Sequence, residues 1–192
     1  MFFLLQIKWE NRFKGDIQNE CLVSVDGTDF RIREPYPWQS EVNPAFYSSK
    51  FKGAGLRYEV AVSIQSGDIV WYHGPFPCGR MPDIRIYRLS LKNMLGPGEK
   101  VVADRGYDGD PTAVTPNSIT SSSVQRGMSI ARARQETVNR RFKQFKILQE
   151  TYRHSREKHG DVFATIVCLT QLEIENGHPL FSVHEYVRPV RA

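Results

Sequence analysis

The stretch VVADRGYDGD, residues 101–110, sets two valines ahead of Asp104 and follows them with a glycine-bearing segment that carries two further aspartates. A short apolar run closed by Gly and Asp reads as a buried strand ending at Asp104. Open α/β sheets present functional groups at the ends of such strands. Asp108 and Asp110 lie deeper in the loop beside Gly109, where Asp is a routine turn former. Asp104 is therefore the candidate chemical carboxylate of the three, with a turn role as its alternative.

Working outward, residues 82–95, PDIRIYRLSLKNML, begin with Pro82 and Asp83 and stop before Gly96, which predicts a helix. Upstream of it, LRYEVAVSIQ, SGD and IVWYHG (56–74) read as strand, tight turn and strand, Gly67 supplying the positive φ of the turn. CLVSVDGTDFRI (21–32) alternates as a strand with Leu22, Ser24, Asp26, Thr28 and Phe30 on one face. Its Asp26-Gly27 pair could instead form a hairpin turn. Residues 33–44 hold three prolines without periodicity, a loop that Tyr36 and Trp38 are expected to order.

Downstream, a Pro/Ser/Thr-rich connection over 110–124 leads to a predicted helix over 130–153, with a core stripe of Val138, Phe142, Phe145 and Tyr152. A last, largely buried helix is expected over 161–175. Hairpins first and helical crossovers later imply an α/β fold, a mixed five-stranded sheet flanked by helices, with the fifth strand near Ala113 and Val114.

A chain of 192 residues suits one ordinary domain, and 40% hydrophobic with 24% charged residues is a globular composition. No apolar run reaches the ~20 residues of a membrane helix, and MFFLLQIKW lacks the basic start and cleavage site of a signal peptide. Cys21, Cys78 and Cys168 are too scattered for a zinc motif or a disulfide framework, which suits an intracellular setting. Formal charge is +5, and residues 132–158 alone hold nine Lys/Arg against three Glu. That cluster suggests a polyanionic partner, the alternative being a solvated helix face.

Glu136 lies on the predicted 130–153 helix, away from its core stripe, with Arg132, Arg140 and Lys143 nearby. By itself it needs no more than an i,i+4 ion pair with Arg140, worth about 0.2–0.5 kcal/mol. Two aspartates on adjacent strands and one acid on a neighbouring helix, however, form the oxygen-rich set that Mg²⁺ and Mn²⁺ prefer.

VDGT around Asp26, VVADRGYDG around Asp104 and ARARQETVNRRFKQFKIL around Glu136 resemble the three blocks of a DDE transposase or endonuclease, particularly the Harbinger-like group and its bacterial insertion-sequence relatives. FYSSKFKGAGLRYEVAVSIQSGDIV and GPFPCGRMPDIRIY add to the likeness, which covers about residues 21–172. The resemblance implies an RNase H-like fold and DNA strand cutting with two divalent ions, Mg²⁺ or Mn²⁺, held by Asp26, Asp104 and Glu136. Asp83 would be an auxiliary acid. Lys50, Lys52, Arg57, Arg132, Arg140 and Lys143 would contact DNA phosphates. It also implies a nuclear location if the source is eukaryotic, and allows for a separate DNA-recognition protein.

Two departures from the group are visible: Pro82 stands where a His is frequent, and a glycine common soon after the helix Glu is missing. The chain resembles a catalytic core alone, residues 21–176, with a short N-terminal remnant over 1–20 and a tail over 177–192. The competing expectation is a domesticated or decayed DNA-binding protein without catalysis.

Overall fold

A computed structural model describes residues 7–15, 20–35, 43–118 and 122–183. The loop residues Tyr36 and Trp38 and the end of the C-terminal tail lie outside them. Six strands form one mixed sheet: β1 (Cys21–Arg31), β2 (Tyr47–Ser48), β3 (Gly53–Ser63), β4 (Ile69–Pro77), β5 (Lys100–Val102) and β6 (Ala113–Val114). The expected five are present, and the two-residue β2, paired with the start of β3, makes the sixth. So short a strand, reached through Pro44, has too few residues to show an alternating pattern.

β1 pairs antiparallel with β3 and parallel with β5, β3 pairs antiparallel with β4, and β5 pairs parallel with β6. The long path across the sheet is thus β4, β3, β1, β5, β6. The β3–β4 turn is closed by Gly67 at φ +78°, its N–H donating to the Ser63 carbonyl at 3.0 Å. β1 is central and covered on both faces, which buries nearly all of its residues. Asp26-Gly27 lies in mid-strand, so the hairpin-turn alternative does not apply.

On one face, Phe30, Tyr58, Val60 and Val62 pack with Val138, Phe142, Phe163 and Val167. The last four belong to α2 (Ser122–Phe142) and α4 (His159–Glu175). On the other face, Val23, Val25 and Ala61 pack against Tyr87 of α1 (Asp83–Leu89) and against Leu91 and Tyr107. Ser24, Asp26, Thr28 and Phe30 share the α2 face as alternation requires, whereas Leu22 joins the α1 face because the β1–β5 register shifts between Cys21 and Val23.

Two helices differ from expectation. The 82–95 helix ends at Leu89, where the Ser90 hydroxyl turns back to the Ile86 carbonyl (2.7 Å) and to Glu59 (3.1 Å), and a 3₁₀ turn follows. The 130–153 helix starts earlier, at Ser122, and stops at Phe142; α3 (Lys146–Gln149) follows, and Tyr152 bridges in strand fashion to Ile32. The apolar spacing continues through the break because the same core takes Phe142, Phe145, Leu148 and Tyr152.

Residues 9–13 form a 3₁₀ helix tied to the core on the α1 face. Arg12 grips Glu99 through two hydrogen bonds (2.9 and 3.3 Å), and Trp9 meets Trp71 edge-on. Among the described residues no helix is long and apolar enough to cross a membrane.

Candidate active site

Asp26 lies at the middle of β1, opposite Val60, on the face that α2 covers. Asp104 lies two residues past the end of β5 and caps a 3₁₀ turn, its Oδ1 accepting from the Gly106 N–H at 2.7 Å. β1 and β5 are neighbouring parallel strands, so the two carboxylates reach one cleft, which Val25, Arg132, Gln135 and Glu136 complete. The cleft is small, about 80 Å³.

Gln135 fixes α2 here. Its side chain accepts from Ser24 Oγ (3.0 Å) and donates to the Val60 carbonyl (3.0 Å), bonding to both central strands. One turn on, Asn139 Nδ2 donates to Asp26 Oδ2 at 2.8 Å. Neither residue was a sequence candidate, although Asn139, three positions after Glu136, shares its side of the helix.

Asp83, the first residue of α1, reaches the site from the opposite face through the space left by Gly27. A methyl group on Gly27 would lie 1.9 Å from Asp83 Oδ1. A methyl group on Gly106 would lie 2.9 Å from Asp104 Oδ1 and 3.3 Å from Asp83 Oδ2, so these two carboxylates are neighbours. Burial pushes Asp26 up to about 6, and the negative charges of Asp104 and Asp83 add to the rise, while Lys50 opposes it. Asp83 is raised too, by burial first, against the pull of Arg57 and Lys50.

Glu136 stands differently. Its side chain is 62% exposed and its nearest cation is Arg140, at 3.9 Å. Among the described residues no three His, Cys, Asp or Glu side chains converge closely enough to hold an ion in this conformation. The donor chemistry nonetheless fits a hard cation. Three aspartates with mutual repulsion offer oxygen alone, and Glu136 borders the same cleft.

A second, adjoining concavity of about 230 Å³ is lined by Asp26, Lys50, Glu136, Asn139, Arg140 and Lys143, among others. Lys50 Nζ donates to the Gly27 carbonyl at 2.6 Å. Burial, and then the nearby Lys50 charge, lowers Lys143. Arg132 borders the acid cleft, whereas Lys52 is exposed on the β2–β3 turn at φ +53°.

Arg57 is set apart from these cations: only 7% exposed, it is spent on Asp29, Asp83 and the Met81 carbonyl. A larger concavity of about 390 Å³ opens between residues 33–35 and 152–157, and none of the candidate acids lines it.

The family model for DDE superfamily endonucleases matches residues 25–171, which include every acid just described. The chain belongs to this DDE endonuclease family. It is also 28% identical over 158 residues to a protein of Microchaete diplosiphon described as a probable transposase for insertion sequence element IS702, a match that covers 73% of this chain and 53% of the relative. The chain thus spans about half the length of that curated relative. No solved structure matches it. Members of the DDE endonuclease family generally use divalent metal ions.

Proposed function

We propose that this chain is the nuclease core of a transposase, cutting DNA phosphodiester bonds with two Mg²⁺ or Mn²⁺ ions held by Asp26, Asp104 and Glu136, on an RNase H-like fold. The observation that carries the reading is the convergence of Asp26 and Asp104, from neighbouring parallel strands, on a cleft bordered by Glu136 of α2. The path of three antiparallel strands followed by two parallel ones supports the fold assignment.

Bound divalent ions would activate the attacking oxygen and stabilise the leaving one. The protein's own part is to hold acceptors and place the substrate. Asn139 orients Asp26, and the Gly106 N–H orients Asp104. Glu136 has to swing from Arg140 toward the cleft to complete the set.

Lys50, Arg140 and Lys143 line the adjoining concavity and Arg132 borders the acid cleft, where cations contact phosphates without reading sequence, and Lys52 is a further phosphate contact from the exposed β2–β3 turn. The attacking group is water or a DNA 3′-OH.

The test is nicking of supercoiled plasmid by the purified chain with Mg²⁺, Mn²⁺ or chelator. Parent protein should nick only with metal, and Asp104→Asn and Glu136→Gln should lose nicking while staying folded. Metal-dependent nicking that survives both substitutions would refute the assignment.

The outward Glu136 favours a second reading, a DNA-binding protein of this family that does not cut. It predicts salt-dependent DNA binding, with no metal effect on binding or stability.

A further inference from the structure

Beneath the cleft lies a buried network that the proposed chemistry does not use directly. Asp29 and Arg57 are cross-strand partners on β1 and β3, on the face opposite Asp26. Arg57 Nε and Nη2 meet the two Asp29 oxygens at 2.6 and 2.9 Å, a bidentate fork. The third nitrogen, Nη1, donates to the Met81 carbonyl and lies in ion-pair contact with Asp83 Oδ1 without a hydrogen bond, both at 3.3 Å, so one guanidinium holds the backbone just ahead of α1 and faces the carboxylate that opens it.

On the other side, Asp29 Oδ2 accepts from Ser48 Oγ at 2.6 Å, and Ser48 Oγ accepts from the Lys50 N–H at 3.3 Å. That turn carries the ammonium group bonded to the Gly27 carbonyl. Asp29, Ser48 and Arg57 are at most 7% exposed. Burial would raise the Asp29 carboxyl, yet the Arg57 and Ser48 bonds and the nearby Lys50 charge hold it below its ordinary value.

We propose that the Asp29–Arg57 pair is the positioning element of the site, setting Asp83 against Asp104 through the guanidinium and the phosphate-contacting Lys50 beside Asp26 through Ser48. The inference rests on the nuclease reading above. It assigns Arg57 to the protein interior rather than to DNA.

A buried pair stripped of one partner is strongly destabilised, so the informative variants are Arg57→Lys, which keeps the charge but not the fork, and Ser48→Ala, which keeps the pair. Two readouts apply to the full chain: the Mn²⁺ concentration that half-saturates the rise in thermal midpoint, and the affinity for a short DNA duplex across a salt series in chelator.

Arg57→Lys should raise the Mn²⁺ midpoint about tenfold, the scale found when groups that orient metal ligands are lost. Ser48→Ala should leave that midpoint within about twofold and flatten the salt slope by about 1, the loss of one phosphate contact. Folded variants matching the parent in both readouts would overturn the proposal, as would an Arg57→Lys effect confined to DNA. If Arg57→Lys fails to fold, an unchanged salt slope in Ser48→Ala overturns it alone. A parent with no Mn²⁺ response would instead sink the nuclease reading and take this inference with it.

Discussion

The acids on the sheet side of the cleft and the acid carried by α2 are held in opposite ways. Asp26 lies in the central strand, bonded by Asn139, and Asp104 is locked by the Gly106 N–H. Asp83 fills the gap at Gly27 in ion-pair contact with Arg57. Glu136 rides an exposed face of α2 with only a long contact to Arg140. The sheet side is therefore built before any ligand arrives, and the proposed site requires rotation of the Glu136 side chain to complete the α2 side. The lesson is where rigidity was placed: on the carboxylates that repel one another and would spread if the scaffold allowed it.

The largest expected effect attacks the sheet side. Gly27→Ala puts a methyl group 1.9 Å from Asp83 Oδ1, within a buried strand that cannot shift freely. Overpacking of this kind should destabilise by about 3 kcal/mol. Thermal unfolding reads it directly, and the Mn²⁺ response should be lost with it. An alanine variant as stable and as responsive as the parent would show that the gap at Gly27 is not what places Asp83.

Next comes the repulsion itself. The folded pKa of Asp26, about 6, is above its ordinary value of 3.8. The protonated form is therefore favoured by folding, and that stability is present below pH 3.8 and lost as pH rises through about 6. Asp26→Asn removes the dependence. At pH 7.5 without metal the variant should be more stable than the parent by about 3 kcal/mol, and the gap should close near pH 4. Parallel curves for the two proteins from pH 4 to 7.5 would contradict the account.

The smallest effect belongs to the α2 side. Glu136→Gln removes an exposed i,i+4 contact, so stability should change by less than about 0.5 kcal/mol. Metal-dependent nicking should nevertheless fall to background. A large stability loss would mean that Glu136 is already part of the fold; unchanged nicking would mean that it never joins the site.

How far the sequence revealed this arrangement follows the same divide. Asp104 was legible because a strand ending in Asp before a glycine turn is a local signal, and Asp26 became legible through its likeness to the family's first block. The helix spacing correctly set Glu136 off the core stripe of Val138 and Phe142. What stayed hidden was long-range. Arg57 reads as one more surface cation until β1 and β3 pair and set Asp29 opposite it. Gly27 reads as a turn former until Asp83 arrives from far along the chain to occupy its space. The break after Phe142 was invisible because Phe145, Leu148 and Tyr152 continue the apolar spacing into the same core without one continuous helix.

The central claim is that Asp104 and its neighbours form a divalent-cation site. Its most direct test is the thermal midpoint of the full chain against Mn²⁺ concentration, beside Asp104→Asn. Saturation to about 100 times Kd should add about 2.7 kcal/mol to the parent, and the folded variant should show no rise. An equal rise in both proteins, or none in a well-folded parent, would contradict the claim.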